Sequence, residues 1–304
     1  MRSCGVLCAV ALSASLLGAT PAQAQDRCPV ELDQPARGSA AITALGDDLP
    51  KIATRADLSP TTLRSELLTD RTLWLDACAR PYYVEPAPTH ERLFEPALTA
   101  TEDALTLHSR PGSNRTIYLD FDGFTVKDSS WARAYGQFTA PAYSLDADPT
   151  FNDTEKARIV DVWLRVSEDY AAFDVDVTTE EPLDSAIDRT SAADLVFGTR
   201  VAIVGSNPIY TSCQCGGIAY LDAFDATQGH ADEQPAFVFA VRNAGTGSKF
   251  ISEAATHEVG HNLSLLHDGA TPGTTYYSGQ GLWAPIMGVG YYQPLTQWSK
   301  GEYT

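Results

Sequence analysis

From about Arg115 onward the sequence predicts an α/β (α+β) domain. Three observations carry that expectation: alternating or continuous apolar runs of strand length, a capped stretch with its apolar residues on one helical face, and a second helical stretch that follows the most apolar run. In chain order, residues 116–119 read as a strand. Asn152-Asp-Thr-Glu155 has capping-box spacing, in which a side-chain acceptor and a Glu three residues on satisfy each other's free amides. The helix it opens runs to about Tyr170, with Ile159, Val162, Trp163, Val166 and Tyr170 on one face. Residues 174–179 alternate like a half-buried strand, 195–204 are broadly apolar, 217–221 form a further short strand, and 236–241 suit a central strand. A second helix is expected from Phe250 to about Leu265. No internal repeat is visible.

The preceding part reads differently. Residues 58–75 suggest a helix and then a strand, and Trp74-Leu75-Asp76 and Arg80-Pro-Tyr-Tyr-Val84 suggest two short strands around a turn. Glu85-Pro-Ala-Pro-Thr89 then opens a Pro-rich, polar stretch that ends near Arg110-Pro-Gly-Ser113 and reads as a linker. Met1-Arg2, the apolar run from Val6 to Leu17 and Ala22-Gln23-Ala24 have the form of an export signal with a small-x-small cleavage site. The expected organisation is therefore a signal peptide (1–24), a small N-terminal module and linker (25–112) and a larger domain (113–304). A module in that position is read either as a propeptide or as a lid or packing element.

Composition narrows the function. With 304 residues and 44% apolar content, a globular core is expected. The 39 Asp and Glu against 21 Lys and Arg give a surface that repels phosphate backbones, so nucleic acid is not an expected partner. The signal's apolar run is shorter than the ~20 residues that span a bilayer, and no later segment spans either, so no membrane anchor is expected in the mature chain. Export points to an extracellular or periplasmic location. Of the cysteines beyond the signal, Cys28, Cys78, Cys213 and Cys215, sequence proximity pairs Cys28 with Cys78 and Cys213 with Cys215. An N-terminal free thiolate capping a metal is the alternative use.

The second expected helix contains His257-Glu258-Val259-Gly260-His261. Positions i and i+4 share a helix face, so two imidazoles can converge on one ion. Glu258 flanks the same ion and is placed to take a proton from a water whose pKa zinc lowers. His267 follows six residues after His261, as a third ligand would if the helix ends between them. Three protein ligands with one open position mark a catalytic zinc site rather than a structural one. The other histidines, His90, His108 and His230, stand alone and read as surface residues.

This run resembles the metzincin metallopeptidases, whose signature is H-E-x-x-H-x-x-G-x-x-H followed by a Met-turn. The Asp268 that follows His267 is similar to the adamalysin (reprolysin-like) branch, and Ala284-Pro-Ile-Met287-Gly288 fits the Met-turn. The resemblance covers about residues 115–300 in layout and is specific only at these two motifs. It implies a twisted mixed sheet, an active-site helix and a short C-terminal subdomain. It also implies hydrolysis of internal peptide bonds in protein or peptide substrates, with Met287 supporting the histidines. An edge strand that pairs antiparallel with an extended peptide is implied as well, for which Gly217, Ile218, Ala219, Tyr220 and Leu221 are the candidates. Two departures stand out. Ser264 occupies the family's Gly position, where a positive φ is expected, and a further C-terminal helix would be expected beyond Thr304.

Two competing signals remain. Ile117-Tyr-Leu-Asp120-Phe-Asp122-Gly123 resembles the nucleophile motif of haloacid-dehalogenase-type phosphatases, without the Lys and acidic pair that chemistry needs. Asp120, Asp122, Asp146 and Asp148 are also candidates for a structural calcium ion. The alternative to a peptidase is a non-catalytic zinc module that binds or inhibits a partner.

Overall fold

The structure, a computed structural model, describes residues 28–88, 103–146, 148, 150–241, 247–270 and 273–301. The stretch expected to be an export signal (1–24) and His90 lie outside them. No described helix is long and apolar enough to cross a membrane.

The N-terminal part forms three short helices, α1 (Gly38–Leu45), α2 (Leu49–Arg55) and α3 (Pro60–Thr69), and a hairpin of β1 (Leu73–Leu75) and β2 (Pro81–Pro86). Ser59 caps α3 by accepting from the Thr62 amide, with Pro60 at the first helical position where its absent N–H costs nothing. Then come β3 (Arg115–Asp120), β4 (Phe124–Val126), α4 (Ser130–Tyr135), β5 (Phe138–Ala140), α5 (Asp153–Asp169) and β6 (Asp176–Thr178). The chain continues through α6 (Asp184–Ile187), β7 (Phe197–Val204), α7 (Pro208–Cys213), β8 (Cys215–Tyr220), β9 (Ala236–Phe239) and α8 (Ser248–Asn262), and closes with β10 (Trp283–Pro285) and β11 (Leu295–Gln297). The capping box at Asn152 is formed in both directions, so the start of α5 is fixed where the spacing put it.

One mixed sheet organises the molecule, in the order β1-β2-β8-β9-β7-β3-β6. Strands β6, β3, β7 and β9 run parallel, while β8 pairs antiparallel with β9, β2 with β8, and β1 with β2. Alternation along β7 shows how both faces are covered. Val201 and Ile203 enter a core with Ile159, Val162 and Val166 of α5 and Ala255 and Val259 of α8. Ala202 and Val204 point the other way, into a second core with Trp131, Phe237 and Phe239. A strand buried on both sides reads as a near-continuous apolar run, which is how 236–241 reads in the sequence and, more loosely, the broadly apolar 195–204. A third core joins Leu45, Ile52, Leu63 and Leu67 of the N-terminal helices to Leu73, Leu75 and Tyr83 of the hairpin.

Two expectations change here. Strand β8 is not an edge, because β2 pairs along its free side from Tyr82 opposite Tyr220 to Glu85 opposite Gly217. Glu85, read as the start of a linker, instead belongs to β2, which continues to Pro86. The cysteines pair as Cys28–Cys78 and Cys213–Cys215, so neither N-terminal thiol caps a metal.

Candidate metal centre

Helix α8 places His257 and His261 one turn apart, both buried. It stops just beyond them in a Schellman arrangement: the Leu265 amide donates to the Gly260 carbonyl and the Ser264 amide to that of His261. Ser264 sits at the left-handed position with φ 68°. The chain therefore turns back and brings His267 to its two partners.

Each imidazole is held by its Nδ1. That of His257 donates to the Ile286 carbonyl at 2.7 Å, that of His261 to the Leu265 carbonyl at 2.8 Å, and that of His267 to the Asp70 carboxylate at 2.7 Å. These contacts fix the rings and leave all three Nε2 atoms facing one another, as metal-ligating histidines are held. The Nε2 atoms of His257 and His267 lie 3.2 Å apart, close to the ~3.3 Å that a tetrahedral ion with bonds of ~2.0–2.1 Å requires.

A fourth side chain enters from β2. One Glu85 carboxylate oxygen is 2.9 Å from His267 Nε2 and 3.4 Å from His261 Nε2, and the other is 3.7 Å from His257 Nε2. Glu85, His257, His261 and His267 are the single group of three or more potential ligand side chains among the described residues. Asp120, Asp122, Asp146 and Asp148 join no such group. Asp120 is instead paired with Arg200 at 2.6 Å, and Asp146 accepts from the Asp148 amide. His108 pairs with Asp176 and Glu180, and the buried His230 donates to the Phe224 carbonyl.

Glu258 lies fully buried beneath β8, and neither of its carboxylate oxygens has a hydrogen-bond partner; His261 Nε2 has none either. Orphaned polar atoms of this kind are costly unless something polar joins them, and together with three inward Nε2 atoms they fit a cation and its ligands. A Cβ on Gly217 would stand 2.1 Å from the nearer Glu258 oxygen, so the strand above the carboxylate must carry glycine there. Burial, reinforced by the charge of Glu85, holds the Glu258 carboxyl well above its usual range. Burial pushes Glu85 the same way, but His267 and His257 outweigh it and leave it well below that range. Burial alone would lower His267, yet Glu85 and Asp70 hold it at about 10, whereas burial keeps His261 down at about 4. The divergent proton affinities of Glu85, Glu258, His261 and His267 mark a buried, strongly polarised site.

Aromatic rings close the walls. Tyr83 stacks on His261 with centroids 4.0 Å apart, and Tyr276 on His267 at 4.3 Å. Burial, reinforced by the charge of Glu85, holds the Tyr276 hydroxyl protonated well above its usual range. Beneath α8, the loop from Ala284 to Gly288 offers the Ile286 carbonyl to His257, and the buried Met287 packs so tightly on Gly260 that a Cβ there would stand 2.3 Å from its sulfur. The structure thus gathers His257, Glu258, His261, His267 and Met287 at one place. It adds Glu85, Asp70, Tyr83 and Tyr276, which no motif in the sequence marks.

In comparisons with known proteins, no family model, no curated protein and no solved structure matches the chain.

Proposed function

We propose that the protein is an exported zinc-dependent metalloendopeptidase of the metzincin type. The observation that carries this reading is Glu258: a fully buried carboxylate with no partner, next to three imidazoles whose Nε2 atoms converge. Imidazoles with a carboxylate suit zinc among the transition ions. His257, His261 and His267 would hold it, and when bound it would polarise the scissile carbonyl and acidify a water molecule. Glu258, with its raised proton affinity, is suited to take the proton of the attacking water and pass it to the leaving amine. Tyr276, kept neutral by burial, offers a donor to charge developing near the Glu85 position. Both disulfides suit an oxidising compartment, which supports export.

A second reading rests on Glu85. Four protein ligands are the mark of a structural site, so the centre would then hold metal without catalysis, as in a binding or inhibitory module.

Casein cleavage separates the two. It should be measured for the zinc-loaded chain and for its Glu85→Gln variant, each intact and after cleavage at a protease site introduced between Pro88 and Asp103. Cleavage by any of these forms that EDTA abolishes, and that Glu258→Ala lowers by about 10²–10⁴-fold with zinc retained, is the expected result. Absence of cleavage by all four folded, zinc-loaded forms would remove the peptidase reading and leave the structural one.

A further inference from the structure

We propose that β2 is a built-in occupant of the cleft, which lies along β8 as an extended peptide would and closes the metal centre with the Glu85 carboxylate, so that the intact chain is held latent. The proposal deepens the peptidase reading and rests on it. Four observations carry it. First, β2 pairs antiparallel with β8 over Tyr82 to Glu85, the geometry by which an added strand gains main-chain hydrogen bonds. A second peptide cannot pair with that side of β8 while β2 is there.

Second, the register is specific. Glu85 stands opposite Gly217, the residue beneath which Glu258 is packed. The carboxylate is therefore delivered to the three imidazoles, 2.9 Å from His267 Nε2 and 3.4 Å from His261 Nε2, from the strand position that faces the glycine over Glu258. A peptidase needs one metal position open to water and substrate, and Glu85 takes the fourth.

Third, the contact is anchored beyond one side chain. Asp70, which precedes β1, orients His267; Tyr83 covers His261; and the Ser264 hydroxyl donates to the Ala56 carbonyl at 3.0 Å. The N-terminal module thus grips the centre on several sides. Fourth, Glu85 is itself only 1% exposed with one oxygen lacking a partner, near a second buried carboxylate, Glu258. Two such groups are tolerated together where a cation can lie between them and repel where it cannot.

The test uses the full chain loaded with Co²⁺, whose visible absorption reports coordination, and acetohydroxamate as a small bidentate ligand for an open metal position. Wild type, Glu85→Ala and Glu85→Gln are compared, with His257→Ala as the metal-site control. The expected result is a wild-type spectrum insensitive to acetohydroxamate, shifted spectra in both Glu85 variants, and acetohydroxamate binding at least tenfold tighter in those variants. Should Glu85→Ala lose its fold by circular dichroism, Glu85→Gln, which keeps the side-chain volume, decides. Superimposable spectra and equal acetohydroxamate affinity in wild type and variant would overturn latency through Glu85 while leaving the metal centre intact. Co²⁺ held as tightly by His257→Ala as by wild type would instead bring down the metal-centre reading, and the proposal with it.

Discussion

Ser264 shows how one residue connects chain geometry to the metal centre. It occupies the left-handed residue that ends α8, at φ 68°, a conformation that costs a side chain about 1 kcal/mol and glycine almost nothing. Its hydroxyl offsets that cost by donating to the Ala56 carbonyl, a bond worth about 1 kcal/mol. Ser264→Gly removes strain and hydrogen bond together, so its stability should fall within about 1 kcal/mol of wild type. Ser264→Ala keeps the strain and loses the bond, so it should be the less stable variant by about 1 kcal/mol in urea denaturation. An alanine variant as stable as wild type would show that the bond to Ala56 contributes nothing. The positive φ itself was legible, because the third histidine can return only if the helix ends at this point. The compensating bond was not, because Ala56 lies in another part of the chain.

At the level of elements, α8 and the loop beneath it act as a pair. The absence of a side chain at Gly260 lets Met287 pack against the helix, and the same loop's Ile286 carbonyl holds His257. Gly260→Ala should therefore cost about 1–3 kcal/mol through overpacking. It should also weaken zinc binding about 10-fold or more, as loss of a ligand's orienting partner does. Met287→Ala alone should cost about 2–5 kcal/mol through the cavity it leaves. If the two residues press on each other, the double variant costs less than the two single changes together, by at least about 1 kcal/mol; strict additivity would disprove the contact. Much of this element was readable in advance. The histidine spacing, the strand before it and the Ala284–Gly288 run after it are local patterns, and α8 runs Ser248–Asn262 where Phe250 to Leu265 was expected. Strand β2 was half readable. Its apolar residues marked it as a strand as far as Val84, but Glu85-Pro-Ala-Pro has linker composition, and only pairing with the distant β8 makes Glu85 part of the sheet. Asp70 and Tyr276 escaped for the same reason: each is a single polar residue in a turn or loop, with no periodicity around it, brought to His267 by tertiary packing.

For the molecule as a whole, the question is whether residues 28–88 fold with the rest or apart from it. Composition suggested a separate module, yet β1 and β2 extend the same sheet that carries the metal helix. Arg80 gives the continuity an electrostatic core. Its guanidinium is 1% exposed, bonds Ser130 and Asp232, and approaches Glu233 at 3.4 Å; Arg55 reaches Glu233 as well, at 2.5 Å. Asp232 and Glu233 belong to the segment just before β9, so these pairs tie the N-terminal part to the centre of the larger one. Removing one partner of a buried ion pair leaves uncompensated charge, at a cost of about 3–5 kcal/mol. With Arg55 and Arg133 still beside the two carboxylates, Arg80→Met belongs at the lower end of that range. If the sheet couples the two parts, wild type and Arg80→Met should each unfold in one transition, with far-UV circular dichroism and tryptophan fluorescence coincident. Two resolved transitions, with only the first shifted by the substitution, would make residues 28–88 an independently folding unit docked on a finished domain. A single transition shifted as a whole would mean that the strand carrying Glu85 cannot leave the metal centre without unfolding the protein, so that opening the site requires a cut in the chain.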